Sequence, residues 1–197
     1  QTVTYALGGG TGTLPTQADV TTDGTFTVAT GAGLTRTGYT FNGWHDGTSA
    51  YAASSTYTMG AANVTLTAQW TGINNTVTYD GNTNTSGAVP SDGSTYIIGD
   101  TVTVLGNTGV LVKTGYTFNG WNTAADGTGT PHAAAATFVM GSASVTLYAQ
   151  WTATSQTVTY ALGGGTGTLP TQADVTTDGT FTVATGAGLT RTGYTFN

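Results

Sequence analysis

Short stretches in which apolar and polar residues alternate run through the whole chain. In Val64–Trp70 the apolar residues fall on one face of an extended strand, and Thr65, Thr67 and Gln69 fall on the other. Val145–Trp151 repeats this pattern, and shorter versions surround Tyr5, Phe26 and Val102. The alternation predicts β-strands that each have one buried face.

Turn-forming residues separate these stretches. Glycine, asparagine and aspartate cluster at Gly8–Gly10, Asp23–Gly24, Asp92–Gly93 and Asp126–Gly127, as turns between strands require. No amphipathic helix is visible, and the helix-favouring run at 132–136 is only about one turn long. We therefore predict a mostly β fold made of small sheet modules, with little or no helix.

The chain repeats itself. Residues 1–42 and 156–197 are identical, and a diverged copy lies between them. In that copy TVTYALGGG becomes TVTYDGNTN, TRTGYTFNGW becomes VKTGYTFNGW, and NVTLTAQW becomes SVTLYAQW. The repeats predict three domains: repeat A (1–72), repeat B (73–155) and a partial third module (156–197) that copies the start of A.

The ordered motifs TGYTFNGW and YAQW, together with TVTYD and NTAADGTG in repeat B, carry a resemblance. They resemble the Listeria–Bacteroides repeat, also called the internalin B-repeat. The resemblance implies a small β-grasp-like module that occurs in tandem on bacterial surface proteins and adhesins. It implies no catalytic residues.

Composition narrows the possible partners. Of the 197 residues 49 are threonine, all nine acidic residues are aspartate, and only Arg36, Lys113 and Arg191 are basic, giving a net charge of −6. No basic stripe is available to neutralise phosphates, so we expect no nucleic-acid partner. No apolar run approaches a membrane span, so we expect no membrane insertion in this segment. Threonine is β-branched and bonds water, which suits the solvated face of a sheet.

The residue types of the sequence do not indicate a catalytic site. Nucleophilic catalysis requires a base beside the nucleophile, and the only histidines, His45 and His132, occupy different places in the two repeats. His45 is matched by Asn122 in repeat B. We therefore predict no enzyme activity, no catalytic residue and no cofactor.

Calcium is the metal that turn carboxylates would suit best. Asp46–Gly47 and Asp126–Gly127 are the candidate positions, with Asp23, Asp92 or Asp100 as further ligands. Calcium requires six to eight oxygen ligands, and no local D-x-D-x-D series supplies them. We interpret these aspartates as turn residues and predict no metal site.

The aromatic residues allow two interpretations. They are the core, which a module of this size without disulfides needs, or they are stacking platforms for sugar rings; the residues concerned are Trp44, Trp70, Trp121, Trp151, Tyr39, Phe41, Tyr116 and Phe118. We favour the core, because the aromatics recur at matching positions in A and B. Trp44 has the wrong parity for its strand and joins the core only if Gly43 forms a bulge. We expect Tyr148 to be the most exposed aromatic.

The function that fits these features is structural. We expect a segment of a secreted, extracellular fibre, stalk or filament on a bacterial cell surface, whose partners are neighbouring repeats or copies of itself. The alternative is an adhesin whose repeats bind a glycan or a cell-surface receptor. The short linkers 71–75 and 152–156 predict limited freedom between modules and a rod-like array.

The third module raises a separate expectation. Residues 156–197 carry three predicted strands, around Val158 and Tyr160, around Phe181 and Val183, and around Tyr194 and Phe196, but no counterpart of the closing strand Val64–Trp70. We expect protein of A-type sequence to cover their apolar face, supplied either by the same polypeptide or by a neighbouring chain that donates a strand.

Overall fold

The computed structural model describes residues 1–196, which contain fourteen β-strands and no helix. The strands are β1 (Val3–Ala6), β2 (Thr25–Thr27), β3 (Tyr39–His45), β4 (Ala50–Tyr51), β5 (Thr56–Thr58), β6 (Val64–Gly72), β7 (Val77–Asp80), β8 (Thr101–Thr103), β9 (Tyr116–Asn122), β10 (Pro131–His132), β11 (Thr137–Val139), β12 (Val145–Ala153), β13 (Ser155–Gln156) and β14 (Val175–Thr176). The prediction of a mostly β chain with little or no helix is confirmed. The β-grasp assignment stays a prediction.

Repeat A forms a mixed four-stranded sheet in the order β1-β6-β3-β4. Strand β1 lies parallel to β6, with Val3 opposite Val64 and Tyr5 opposite Leu66. Strand β3 pairs antiparallel with both β6 and β4. The parallel pair joins the first and last strands of the repeat, so the closing strand completes the module.

The core of repeat A lies between this sheet and an antiparallel ribbon of β2 and β5. Leu66 and Ala68 are buried, as the alternation in β6 predicts, and Thr65 on the opposite face is exposed. The buried cluster consists of Val3, Tyr5, Phe26, Val28, Leu34, Trp44, Tyr57, Met59, Leu66 and Ala68.

Repeat B contains a second, similar module in tandem. Its four-stranded sheet has the order β10-β9-β12-β7, and β8 and β11 form an antiparallel ribbon. The buried apolar residues are at matching positions: Val77, Tyr79, Val102, Val104, Leu111, Trp121, Met140, Leu147 and Ala149.

Gly43 forms the bulge that Trp44 requires. The register of β3 against β6 shifts between the pairs Phe41–Trp70 and Trp44–Ala68, and Gly43 has φ of 99°. The extra residue turns Trp44 into the core, where it is fully buried. The predicted bulge is confirmed.

The chain divides into two compact units. The first contains the sheet of repeat A and both ribbons, and comprises Gln1–Thr78, Asp92–Thr103 and Thr137–Val145. The second contains most of the repeat B sheet and the β13–β14 pair, and comprises Tyr79–Ser91, Val104–Ala136 and the described residues from Thr146 onward. The domain boundaries predicted from the repeats stay a prediction.

Two predictions are wrong, one on the exposure of Tyr148 and one on the strands of the third copy. Tyr148 was expected to be exposed but is half-buried. The most exposed aromatics are Tyr194 and Phe196 of the third copy. The three strands predicted in the third copy do not form. Its described residues contain one residue of β13, Gln156, and the two-residue strand β14. In repeat A, the residues that correspond to the first two of these predicted strands are β1 and β2, which pair with β6 and β5. Residues 156–196 include no counterpart of β6 or β5.

Candidate functional site: the junctions between repeats

The two histidines weighed as candidate bases lie in different strands. His45 ends β3, where its Nδ1 accepts a hydrogen bond from the Gly47 amide at 2.9 Å, and His132 lies in β10. Within residues 1–196 no group of three or more histidines, cysteines or acidic residues is placed to hold a metal ion.

Asp46, the first calcium candidate, serves a turn. Its Oδ1 accepts hydrogen bonds from the amides of Thr48 and Ser49, at 2.8 and 2.7 Å. Its Oδ2 accepts from the hydroxyls of Tyr51 and Tyr57, at 3.1 and 3.2 Å. Burial opposes ionisation, but these hydrogen bonds together hold the pKa of Asp46 below its ordinary value. Burial and the hydrogen bond to Asp46 raise the pKa of Tyr57 to about 12.

The other candidate aspartates also serve turns. Asp126 accepts from the hydroxyl and amide of Thr128, which lowers its pKa. Asp92 accepts from the hydroxyl of Tyr96 at 2.9 Å, and Asp100 accepts from the Ile97 amide at 2.8 Å. Asp23 occupies a turn position with φ of 62°.

The repeated tryptophans and phenylalanines form the core or pack against it, whereas Tyr39 and Tyr116 are only partly buried. Trp44 and Trp121 are fully buried, and their Nε1 atoms donate to the carbonyls of Ala29 and Leu105. Trp70 and Trp151 are half-buried and donate to carbonyls at matching positions, while Phe41 and Phe118 pack edge-on against the tryptophans. A ring inside the core is not available to stack on a sugar. For Trp44 and Trp121, burial therefore confirms the core interpretation.

A junction between repeats A and B lies within the first compact unit. The Ile73 amide donates to the carbonyl of Gly38 in the turn before β3, at 2.9 Å. Asn75 is buried and exchanges two backbone hydrogen bonds with Tyr96, at 2.8 and 2.9 Å. This pairing anchors the loop that presents Ile97 and Ile98 of repeat B to repeat A.

In repeat A the glycine of the TGY motif lies against Ile98 of repeat B. Gly38 has φ of 78°, and a Cβ on it would come within 2.6 Å of Ile98 Cγ2. A Cβ on Gly72 would come equally close to Ile97 Cγ2, at 2.6 Å. Both glycines therefore allow the isoleucines to lie directly on the backbone of the preceding repeat.

The corresponding junction after repeat B lies within the second compact unit. The Thr154 amide donates to the carbonyl of Gly115 at 2.9 Å, and the Thr177 amide donates to the carbonyl of Thr154 at 2.9 Å. The Thr177 hydroxyl also donates to the Gly115 carbonyl, at 2.6 Å. The Tyr116 hydroxyl donates to the Asp178 carboxylate, which raises the pKa of Tyr116.

The two junctions share their backbone plan and differ in side-chain chemistry. In each, the linker amide bonds the TGY glycine carbonyl, and a loop of the following repeat lies against that glycine. The contact residue is Ile98 in the first junction and Thr177 in the second. Sequence reasoning missed these loop residues, although the glycine that recurs in the TGY motif was a usable signal.

Comparison with known proteins adds the family. The Listeria-Bacteroides repeat domain matches residues 2–69 and 76–150, which are the two complete copies. The chain belongs to the Listeria-Bacteroides repeat family. The resemblance seen in TGYTFNGW and YAQW is therefore confirmed.

Relatives of this family member are much longer proteins. A protein of Evansella cellulosilytica, provisionally named as a Gly-rich membrane protein, is 38% identical over 148 residues, which are 70% of this chain and 17% of that protein. A second protein of that organism, provisionally named as a membrane protein, is 36% identical over 151 residues, 76% of this chain and 22% of that protein. The chain thus spans about a fifth of the length of these relatives. No solved structure matches it.

The names of these relatives mention a membrane. Of the residues that the structure describes, none belongs to a helix with the length and apolar character needed to span a bilayer.

Proposed function

We propose that this chain is a structural, non-enzymatic segment of a secreted bacterial cell-surface fibre, stalk or filament. In this proposal its repeats, 1–72, 73–155 and 156–197, are joined by a contact that recurs at each boundary. The observation that carries the proposal is the recurrence itself: a loop residue of the following repeat lies against the TGY glycine in both junctions, Ile98 against Gly38 and Thr177 against Gly115. A contact repeated with the sequence period is what an array of docked modules requires.

The surface chemistry supports this role. Outward threonines pair across strands, as in the hydroxyl contacts Thr4–Thr65 at 2.8 Å and Thr11–Thr35 at 3.1 Å. Only three basic residues are present in the whole sequence, so trypsin-like proteases find few cleavage sites. A hydroxyl-rich surface with few charged residues and few trypsin-like cleavage sites suits a protein outside the cell.

The alternative is an adhesin whose repeats bind a glycan or a receptor directly. A binding repeat would carry an exposed constellation that A and B share. The aromatic positions that A and B share include the fully buried Trp44 and Trp121, and their turn loops differ, with Asp46 in A replaced by Thr123 in B. These observations favour the scaffold over the adhesin.

Antibody labelling of bacteria that express the full-length protein tests the proposed location. We expect labelling of intact cells with an antibody raised against this chain, and loss of that labelling when an external protease of broad specificity, which does not require basic residues, is applied. Labelling that occurs only after the cells are permeabilised would overturn the proposal.

A glycan array probed with the fluorescent chain separates the two candidate functions. The scaffold predicts no saturable binding. Saturable binding that is lost in a variant of the loops around Asp46 or Asp126 would instead establish the adhesin.

A further inference from the structure

Each junction pairs a linker with a loop of the following repeat, and the register is the same in both. Asn75 lies opposite Tyr96 in the first junction, and Gln156 lies opposite Val175 in the second. Each of these linker residues is five positions after the last tryptophan of its repeat, and each loop residue is five positions before the TVTV or TFTV motif. The side chains of the two junctions can therefore be compared position by position.

Four positions in the linkers and loops change together between the junctions. The first junction has one glycine and three isoleucines at these positions, and the second has one alanine and three threonines. The residues are Gly72, Ile73, Ile97 and Ile98 in the first junction, and Ala153, Thr154, Thr176 and Thr177 in the second. The TGY motif against which both loops lie is unchanged.

The threonines of the second junction form a polar contact. The hydroxyls of Thr154 and Thr177 lie 3.3 Å apart, and each donates to the carbonyl of Gly115, at 2.8 and 2.6 Å. One hydroxyl belongs to the linker and the other to the loop. Isoleucine has no hydroxyl, so a loop with two isoleucines would leave the linker threonine without this partner.

The first junction has a steric fit instead. A Cβ on Gly72 would lie 2.6 Å from Cγ2 of Ile97 and 3.0 Å from its Cβ. The glycine therefore allows Ile97 to pack on the linker, where it is half-buried. In the second junction the linker has Ala153 instead, and the loop residue that corresponds to Ile97 is Thr176, which is exposed. Threonine tolerates this exposure, whereas isoleucine would lose the burial of its apolar side chain.

We propose that these four positions determine which repeat can follow which. A linker with glycine and isoleucine docks a loop with two isoleucines, and a linker with alanine and threonine docks a loop with two threonines. Repeat A carries the threonine loop, at Thr21 and Thr22. The rule therefore favours B after A and A after B, and it disfavours a repeat followed by its own type. The inference rests on the proposed function, because it names the partner that each docked module selects.

Reciprocal substitutions at the first junction of the intact chain test this rule. The linker variant combines Gly72→Ala with Ile73→Thr, and the loop variant combines Ile97→Thr with Ile98→Thr. Each variant alone mismatches the junction. The chain that carries all four substitutions has the residues of the second junction at these positions, so the rule predicts that its junction is matched again.

Two NMR measurements report on the junction in each variant. A nuclear Overhauser effect between the α-protons of Gly38 and the γ2-methyl group of residue 98 detects the contact between repeats, and both isoleucine and threonine carry that methyl group. Exchange of the Asn75 amide, which donates to the Tyr96 carbonyl at 2.8 Å, detects pairing of linker and loop. Each mismatched variant should lose the Overhauser effect and exchange this amide at least about tenfold faster, and the four-substitution chain should recover to within about threefold, because contacting residues are energetically coupled.

Gly60→Ala is the matched control for the added methyl group, because a Cβ on Gly60 would meet open space. It should leave exchange of Asn75 within about twofold, and protection of the Leu66 amide should persist in every variant. Mismatched variants that keep the Overhauser effect and the exchange rate of the unaltered chain, or a four-substitution chain that does not recover, would overturn the rule while the docked array stands. Absence of the Overhauser effect in the unaltered chain would overturn both the rule and the docked array.

Discussion

Asp46 gathers four hydrogen-bond donors around one side chain. Two backbone amides and two tyrosine hydroxyls point at its carboxylate, which links the β3–β4 turn to Tyr57 of β5. Hydrogen bonds to the charged form favour ionisation and outweigh the opposing effect of burial. The turn is therefore held by a carboxylate in its ionised state.

The lowered pKa of Asp46 makes stability depend on pH. Because the folded pKa lies below the unfolded value, the contribution of Asp46 is fully present above the unfolded pKa and is lost as pH falls through the folded pKa. The free energy of unfolding should therefore decline from about pH 5 downward. Asp46→Asn should make this decline shallower.

Urea unfolding midpoints between about pH 6 and pH 3 measure the effect. Asp19→Asn, which replaces an exposed aspartate, is the matched control and should retain the acid dependence of the wild type. If both variants keep the same acid dependence as the wild type, the hydrogen bonds to Asp46 do not hold its charge in solution.

At the scale of single residues, the sequence predicts the structural role of a residue better than its hydrogen-bond partners. It identifies Asp46 as a turn residue, because aspartate before glycine favours a turn. It does not reveal Tyr51 and Tyr57 as donors, because their hydroxyls reach Asp46 only after β4 and β5 have paired with β3 and β2.

At the scale of elements, the bulge in β3 decides which face Trp44 occupies. Gly43 lies where the backbone of Tyr51 in β4 approaches closely, so that a Cβ would come within 2.5 Å of the Tyr51 carbonyl oxygen. Gly47 has nearly the same φ, 97° against 99°, but faces open space. The two glycines therefore separate backbone conformation from steric contact.

Replacing each glycine with alanine should give different losses. Both variants force a side chain into positive φ, at a cost of about 1–3 kcal/mol. Gly43→Ala should lose at least about 1 kcal/mol more than Gly47→Ala, because it also pushes β4 away from β3. Equal losses in urea unfolding would mean that β4 moves freely to accommodate the added methyl group.

The elements themselves were largely predictable, but their pairing was not. Alternation in Val64–Trp70 predicts a strand with Leu66 and Ala68 buried, and the parity of Trp44 predicts the bulge. Alternation carries no information on which strands pair or in which direction. The parallel pairing of β1 with β6, across more than half of a repeat, was therefore not foreseen. For the same reason the strands predicted in the third copy do not form without their partners.

At the scale of the whole molecule, the same backbone contact recurs at both junctions while its side chains change. The first junction presents Ile97 and Ile98, and the second presents Thr176, Thr177 and Asp178. The repeated motifs predict that modules recur, but they do not predict the docking, because the loop that makes it has a different sequence in repeat B and in the third copy.

Amide hydrogen exchange of the intact chain, resolved by residue with NMR, tests the central claim that successive repeats are docked through these junctions. The claim predicts that the amide of Thr177, which donates to the carbonyl of Thr154 in the preceding repeat, exchanges at least about a hundredfold more slowly than an unstructured chain. Leu66 and Leu147, in the central strands, provide the reference for full protection within each module. Exchange of Thr177 at the rate of an unstructured chain, with Leu66 and Leu147 protected, would show that the repeats fold but do not dock at this junction, and would contradict the account.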